Sequence, residues 1–210
     1  SRHLLAGNLW FAAALLAAGW LGLLLAPPPG YASPLSPAAG IGLAVLASAG
    51  WRMLPGMAVA AVLIGLPLAY PGASGPGPPG LLPSLLLGAA AVVQAGVGAA
   101  VFRRHIDPAL ASGRDVMHFL LLAPLVSVLR ASLGLSALAW LGAVPPEAIW
   151  SSWVIWWVGD TAGVLVAAPL CWVVAGQPRA LWLRRRALVA VPLVLAAGAF
   201  LGIYRQSLAW

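Results

Sequence analysis

Apolar residues fill most of the chain in long blocks, and short segments rich in Pro, Gly or Arg separate the blocks. About 20 apolar residues in a helix cross the ~30 Å hydrocarbon core of a bilayer, so we measured each block against that length. The pattern predicts seven helices, at about residues 4–26, 37–53, 55–70, 81–102, 116–142, 146–175 and 187–204. The second and third are short and closely joined, whereas the fifth and sixth are longer than a span needs.

Composition supports a membrane protein. Hydrophobic residues make up 62% of the 210 and charged residues only 7%, whereas soluble domains carry about 25% charged residues. The predicted fold is therefore an all-α polytopic transmembrane helix bundle in a lipid bilayer, forming a single domain over residues 1–210. The 24 Gly and 19 Pro interrupt apolar runs, as is common in membrane helices. The lone Cys171 lies in such a run and is interpreted as a packing residue.

A net charge of +7 is typical either of a nucleic-acid-binding protein or of a membrane protein whose arginines set its orientation in the bilayer. No basic stripe with interleaved aromatic residues stands clear of the apolar segments, so a nucleic-acid partner is not expected. Under strict alternation of the seven helices, most arginines fall on one side: Arg2, Arg52, Arg103, Arg104, Arg114, Arg179, Arg184, Arg185 and Arg186. Because short cytoplasmic loops carry the positive charge, we predict a cytoplasmic N-terminus. Seven spans would then leave the C-terminus outside, so we predict an eighth helix after Trp210 that leads back to the cytoplasm.

Two charged residues lie within predicted spans, Arg130 in the fifth helix and Asp160 in the sixth. A charge inside the bilayer costs at least ~2.5 kcal/mol, so such a residue should face the bundle interior with a partner. Antiparallel neighbours would bring the two to similar depth, and we predict that they pair. The pair is either a structural ion pair or part of a ligand pocket or switch, and the sequence leaves both open.

Other polar and aromatic residues surround this candidate site. Gln94 in the fourth helix lies at a similar predicted depth and is expected either to join a cluster with Thr161 and Ser132 or to make a simple interhelical hydrogen bond. Asp160 sits in a small-xxx-small frame from Gly159 to Gly163, which permits close approach of another helix. Four tryptophans near the start of the sixth helix serve mainly as interface anchors, with some expected to face a ligand or cation inside the bundle: Trp150, Trp153, Trp156 and Trp157.

Catalysis is not expected from this sequence. The histidines are scattered, no metal-ligand spacing occurs, and the motifs of serine hydrolases, zinc proteases and phosphate loops are missing from the sequence. Asp160 as an intramembrane acid would lack a second catalytic group. No residue pattern identifies a cofactor, so the cofactor is left unknown.

Three segments, in order along the chain, carry a family resemblance: residues 34–44 (PLSPAAGIGLA), 50–56 (GWRMLPG) and 156–165 (WWVGDTAGVL). With residues 114–116, 122–129 and 131–134 they resemble the bacterial membrane-associated sensor domain of the first (MASE-type) class. The chain departs from the family pattern at Ser36, where an aromatic residue is usual, and at Gly88 and Ala89, where the family has Gly-Asn.

The resemblance implies a sensory input module of about eight helices in the bacterial inner membrane. Its output domain would be a histidine kinase or a diguanylate cyclase, C-terminal to this chain. Expected partners are a second copy of the chain in a homodimer and a small-molecule signal or membrane partner protein. The main alternative is a small-solute transporter or substrate-binding membrane subunit, since kinked helices with midplane polar residues also describe those.

Overall fold

A computed structural model describes residues 2–24, 33–66, 81–107, 110 and 112–174. Over these residues the chain is α-helical, with two single 3-10 turns at Trp51–Met53 and Pro146–Ala148. The α-helices are α1 (Arg2–Leu24), α2 (Pro37–Ala49), α3 (Leu54–Ile64), α4 (Leu81–His105), α5 (Gly113–Trp140) and α6 (Ile149–Val174). They occupy the places of the first six predicted helices. The predicted seventh helix, at 187–204, lies outside the described residues, so a count of seven is not confirmed.

Four of the described helices, α1, α4, α5 and α6, are long and apolar enough to cross a membrane. α2 and α3 are short, as predicted, but their predicted ends at about 53 and 70 were wrong, because α2 ends at Ala49 and α3 at Ile64. These helices have 13 and 11 residues, which at 1.5 Å per residue gives about 20 and 17 Å, less than the hydrocarbon thickness. α2 ends early because Gly50 takes a left-handed conformation, with φ of 83°.

Helix ends are set by local chemistry. α2 begins with Pro37 at its first position, where the missing N–H costs no hydrogen bond. α5 begins after Ser112, whose hydroxyl accepts a hydrogen bond from the backbone N–H of Asp115 (3.1 Å) and donates one to its carboxylate (2.5 Å). This reciprocal cap fixes the start of α5.

The helices pack as expected for a membrane bundle. α4 packs against α2, α3 and α5, and α1 packs against α2 and α3. Large apolar side chains remain on the outside, including Trp10, Trp140 and Trp150, each more than 70% exposed. Leu135 and Leu138, near the C-terminal end of α5, form a buried cluster with Trp156 of α6. The exposed apolar surface matches lipid rather than water as the surrounding solvent.

The corner between α2 and α3 is tied to α1. The side-chain amide of Asn8 donates to the backbone carbonyl of Arg52 (3.0 Å), and its oxygen accepts from the backbone N–H of Gly56 (2.8 Å). The side chain of Met53 packs at Gly7. Both bonds satisfy backbone groups near a helix end, so they hold this corner in place.

Contacts divide the chain into two compact units, residues 1–171 and 172–210. The features described below belong to the first unit. Within the second, the structure describes only the last three residues of α6.

Candidate functional site

The guanidinium of Arg130 and the carboxylate of Asp160 lie in contact, with Nη1 2.6 Å from Oδ1. It is the only ion pair among the described residues. The Asp160 side chain is fully buried and that of Arg130 is 20% exposed. Arg130 lies ten residues before the end of α5 and Asp160 eleven after the start of α6, so both lie about 15 Å from those ends. The pairing inferred from the cost of membrane charges is thus the observed arrangement.

A third element reaches the pair, the extended segment just before α2. Nη1 of Arg130 also lies 3.4 Å from the hydroxyl of Ser36, the residue that precedes α2. Because α2 starts at Pro37, directly after Ser36, the positive end of its dipole lies close to the ion pair. The site therefore joins α5, α6 and the start of a helix too short to cross the membrane.

Two glycines on α6, Gly159 and Gly163, leave room for the backbone of this segment, and we call this surface its seat. A Cβ on Gly159 would collide with the backbone carbonyl of Ser33, and one on Gly163 with that of Ser36. The backbone N–H of Ser36 donates to the carbonyl of Gly159 at 3.0 Å. At Gly40, in the first turn of α2, a Cβ would meet the carbonyl of Gly163. The small-xxx-small frame from Gly159 to Gly163 thus packs against an extended backbone as well as against a helix. The backbone N–H of Ser36, which would otherwise be unpaired, finds its acceptor on α6.

Trp156 is the tryptophan that faces the pair. Its ring is 6% exposed and lies beneath the guanidinium of Arg130, with Cζ 5.4 Å from the ring centroid. The ring fits because α5 has Gly134 at this point, where a Cβ would come within 2.9 Å of the indole. A cation over an indole face is a favourable contact that strengthens when water is excluded.

Trp153 and Trp157 bind α6 to α5 by hydrogen bonds. The indole N–H of Trp157 donates to the carbonyl of Pro124 at 2.9 Å, and that of Trp153 to the hydroxyl of Ser132 at 3.1 Å. Trp150, Trp153 and Trp157 also stack in sequence, with centroids 5.5 and 5.8 Å apart. These indoles connect the two helices that carry the ion pair.

Trp157→Phe should lower the free energy of unfolding by about 0.6 kcal/mol, a typical value for one interhelical hydrogen bond in a membrane protein. Reversible unfolding in mixed detergent micelles measures this difference. Trp140→Phe is the matched control, because Trp140 is 76% exposed and its substitution should have a smaller effect. Equal losses in the two variants would contradict a role for the Pro124 bond.

Gln94 is placed apart from the predicted cluster. It is 2% exposed, and its amide nitrogen lies 3.5 Å from the hydroxyl of Ser127 on α5, which in turn donates to the carbonyl of Ala123. Ser132 bonds Trp153 instead. Of the two expectations for Gln94, the structure shows the interhelical contact.

Three buried polar atoms of the predicted site residues have no hydrogen-bond partner among the described residues. They are Nε of Arg130, Oδ2 of Asp160 and Oγ1 of Thr161. The first is a donor, the second an acceptor, and a threonine hydroxyl can be either. Such atoms are costly to bury unpaired, and the first two belong to the ion pair, so the pair is suited to a small polar group that accepts from Nε and donates to Oδ2.

Ser36 and Gly40 were missing from the predicted site. The signal that could have indicated Ser36 is a serine directly before a proline that opens a helix, a common helix start. That signal places Ser36 at the helix start but does not reveal its contact with a residue 94 positions away.

Fold and site together define a polytopic membrane helix bundle with a buried ion pair at the start of a helix too short to cross the membrane. A family model, MASE1, matches residues 6–207. The chain therefore belongs to the MASE1 family of membrane-associated sensor domains, which confirms the resemblance of its motifs. These are multi-pass membrane domains found in signalling proteins, sensory rather than catalytic. Comparison with curated proteins and with solved structures gave no match.

Proposed function

We propose that this chain is the transmembrane input module of a bacterial signalling protein in the inner membrane, with its N-terminus in the cytoplasm. Its output would be a histidine kinase or diguanylate cyclase domain C-terminal to residue 210. The observation that carries the proposal is the Arg130–Asp160 pair, which joins two full-length helices to the start of α2. Within a sensory family, an ion pair at such a junction is suited to act as a switch.

The signal would act by competing for groups of this pair. A small ligand, a change in the membrane or a membrane partner protein that favours the separated pair would release the start of α2 from its seat on Gly159 and Gly163. The signal must bind the two bundle states with different affinity, since equal affinity shifts nothing. α2 then connects this event to the end of the bundle where Arg52 lies, and a homodimer would pass it to the output domains.

The remaining predicted site residues have supporting roles in this proposal. Trp156 holds the guanidinium, and Thr161, the residue after Asp160, has a buried hydroxyl without a hydrogen-bond partner among the described residues. Trp157 and Gln94 join α5 to α6 and α4, so they transmit movement of the pair rather than bind the signal.

Asp160→Asn tests the switch. The amide preserves shape but removes the charge that holds Arg130, so output activity of the full-length protein should no longer respond to its stimulus, either locked on or locked off. Glu147→Gln is the control, because Glu147 lies in the 3-10 turn before α6 and not at the site. Kinase or cyclase activity in membranes is the readout, and a normal response from Asp160→Asn would reject the switch.

The coding frame beyond residue 210 tests the sensor proposal as a whole. We expect an eighth apolar span and then a kinase or cyclase domain. A stop codon soon after Trp210 would contradict the proposal and favour a free-standing bundle.

A small-solute transporter is the second candidate. One observation favours it: in many transporters, half-helices have their N-terminal ends at the substrate near the bilayer midplane, and α2 begins next to Ser36, which Arg130 contacts. Uptake of radiolabelled solutes by the isolated protein in liposomes separates the two functions. A sensor is expected to show none, whereas saturable uptake abolished by Asp160→Asn would establish the transporter.

A further inference from the structure

The corner between α2 and α3 carries an unpaired positive charge. The guanidinium of Arg103, near the end of α4, lies beside this corner, with Nη1 3.7 Å from where a Cβ on Gly50 would be. Gly50 has no side chain to cover it, and its φ of 83° disfavours other residues. Arg52 follows two residues later and is exposed. Two guanidinium-bearing residues therefore flank one turn of backbone.

Neither arginine has an acidic partner within the described part of the chain. The one ion pair found there uses Arg130 and Asp160, 15 Å inside the bundle. Because no carboxylate neutralises either of them there, both guanidiniums remain available to an anion from outside.

Below these cations the surface turns apolar. Trp51 is 49% exposed, and its ring lies 3.5 Å from the Cβ position of Gly96 on α4. Gly96 precedes Arg103 by seven residues, which places both on one face of α4 about 10 Å apart. Val93 and Val97 nearby on α4 are 42% and 44% exposed. Arginines at one end of this surface and an indole with exposed valines at the other match a molecule that has an anionic head and an apolar tail. A free anion would not need the apolar part of the surface.

The corner is also held rigidly. Asn8 binds the carbonyl of Arg52 and the N–H of Gly56, which fixes the backbone that carries Trp51 and Arg52. A site held in advance loses less free energy on binding than one that must be ordered by its ligand.

We propose that this corner, formed by residues 50–52 with Arg103, binds the headgroup of one anionic phospholipid. The two guanidiniums would hold the phosphate, which suits their planar donor geometry. The acyl chains would lie along Trp51 and the exposed valines of α4. Basic pockets between helices near a membrane surface are suited to such headgroups, and an indole beside them favours the same depth.

Native mass spectrometry of the full-length protein tests the site, with dioleoyl phosphatidylglycerol as the probe and dioleoyl phosphatidylcholine as the zwitterionic comparison. We expect one phosphatidylglycerol retained in preference to phosphatidylcholine. R52Q/R103Q should weaken it about 30-fold, the loss expected for two arginines near an anionic lipid. The matched control R104Q/R114Q removes the same charge from the same end of the bundle and should change affinity less than threefold. R52K/R103K keeps the charge but lacks the planar donor pair, so it should bind more weakly than the parent and more tightly than R52Q/R103Q.

Three results would overturn the proposal. Equal weakening in both glutamine pairs would mean that only overall charge attracts the lipid. Equal retention of phosphatidylcholine would mean that the headgroup is not recognised. Displacement of the lipid by millimolar inorganic phosphate would assign the site to a free anion. If R52Q/R103Q does not fold, the single variants R103Q and R104Q make the same comparison, with about a fivefold loss expected for R103Q alone.

Discussion

Arg130→Met should lower the free energy of unfolding by about 3–5 kcal/mol, because it leaves the fully buried carboxylate of Asp160 without its partner. The Ser36 hydroxyl and the start of α2 remain near that carboxylate, but neither replaces a guanidinium at 2.6 Å. The measurement is thermal unfolding of the protein in detergent, followed by size-exclusion chromatography. A drop of roughly 10 °C in the midpoint corresponds to a loss of this size.

The double variant Arg130→Met with Asp160→Leu separates a stranded charge from lost packing. Replacing both partners with apolar side chains removes the desolvation cost of each ion, so the double variant should recover most of the lost stability. A double variant as unstable as Arg130→Met alone would show that shape, and not charge, is what the site requires. Recovered stability with no signalling response would agree with the proposed switch.

Gly163→Ala should destabilise the bundle by about 3 kcal/mol, at the upper end of the range for overpacking. The added methyl would collide with the backbone carbonyl of Ser36, and a backbone atom cannot rotate away as a side chain can. Displacing Ser36 would also move it away from Arg130, so the response to stimulus should change together with stability. Unfolding in mixed micelles and output activity of the full-length protein measure the two effects.

Gly113→Ala is the matched control for this variant. A Cβ on Gly113, at the start of α5, would meet nothing within 4 Å, so the same substitution there should be close to neutral. Similar losses from the two substitutions would contradict the view that α6 provides a seat for the segment before α2.

The ion pair was predictable because the bilayer makes an unpaired charge expensive, and the chain has one basic and one acidic residue at matching depth in successive helices. The contact between Gln94 and Ser127 was less predictable, since polar side chains on several neighbouring helices are possible partners of an amide. The sequence does not show which of them lies close to it. Trp156 could not be separated from its three neighbouring tryptophans, because four within eight residues cover more than one side of a helix.

The sequence by itself determined that this protein lies in a membrane and is all-α, because the lack of water in a bilayer requires apolar helices of a given length. Its motifs determined the family. Only the tertiary structure decided that α2 ends at Ala49, at about two-thirds of the length of a span. The apolar pattern continues past Gly50, so hydropathy does not show that the helix ends there. The hydrogen bonds of Ser36 with Arg130 and Gly159 were likewise decided by packing, since their partners lie about 100 residues away along the chain.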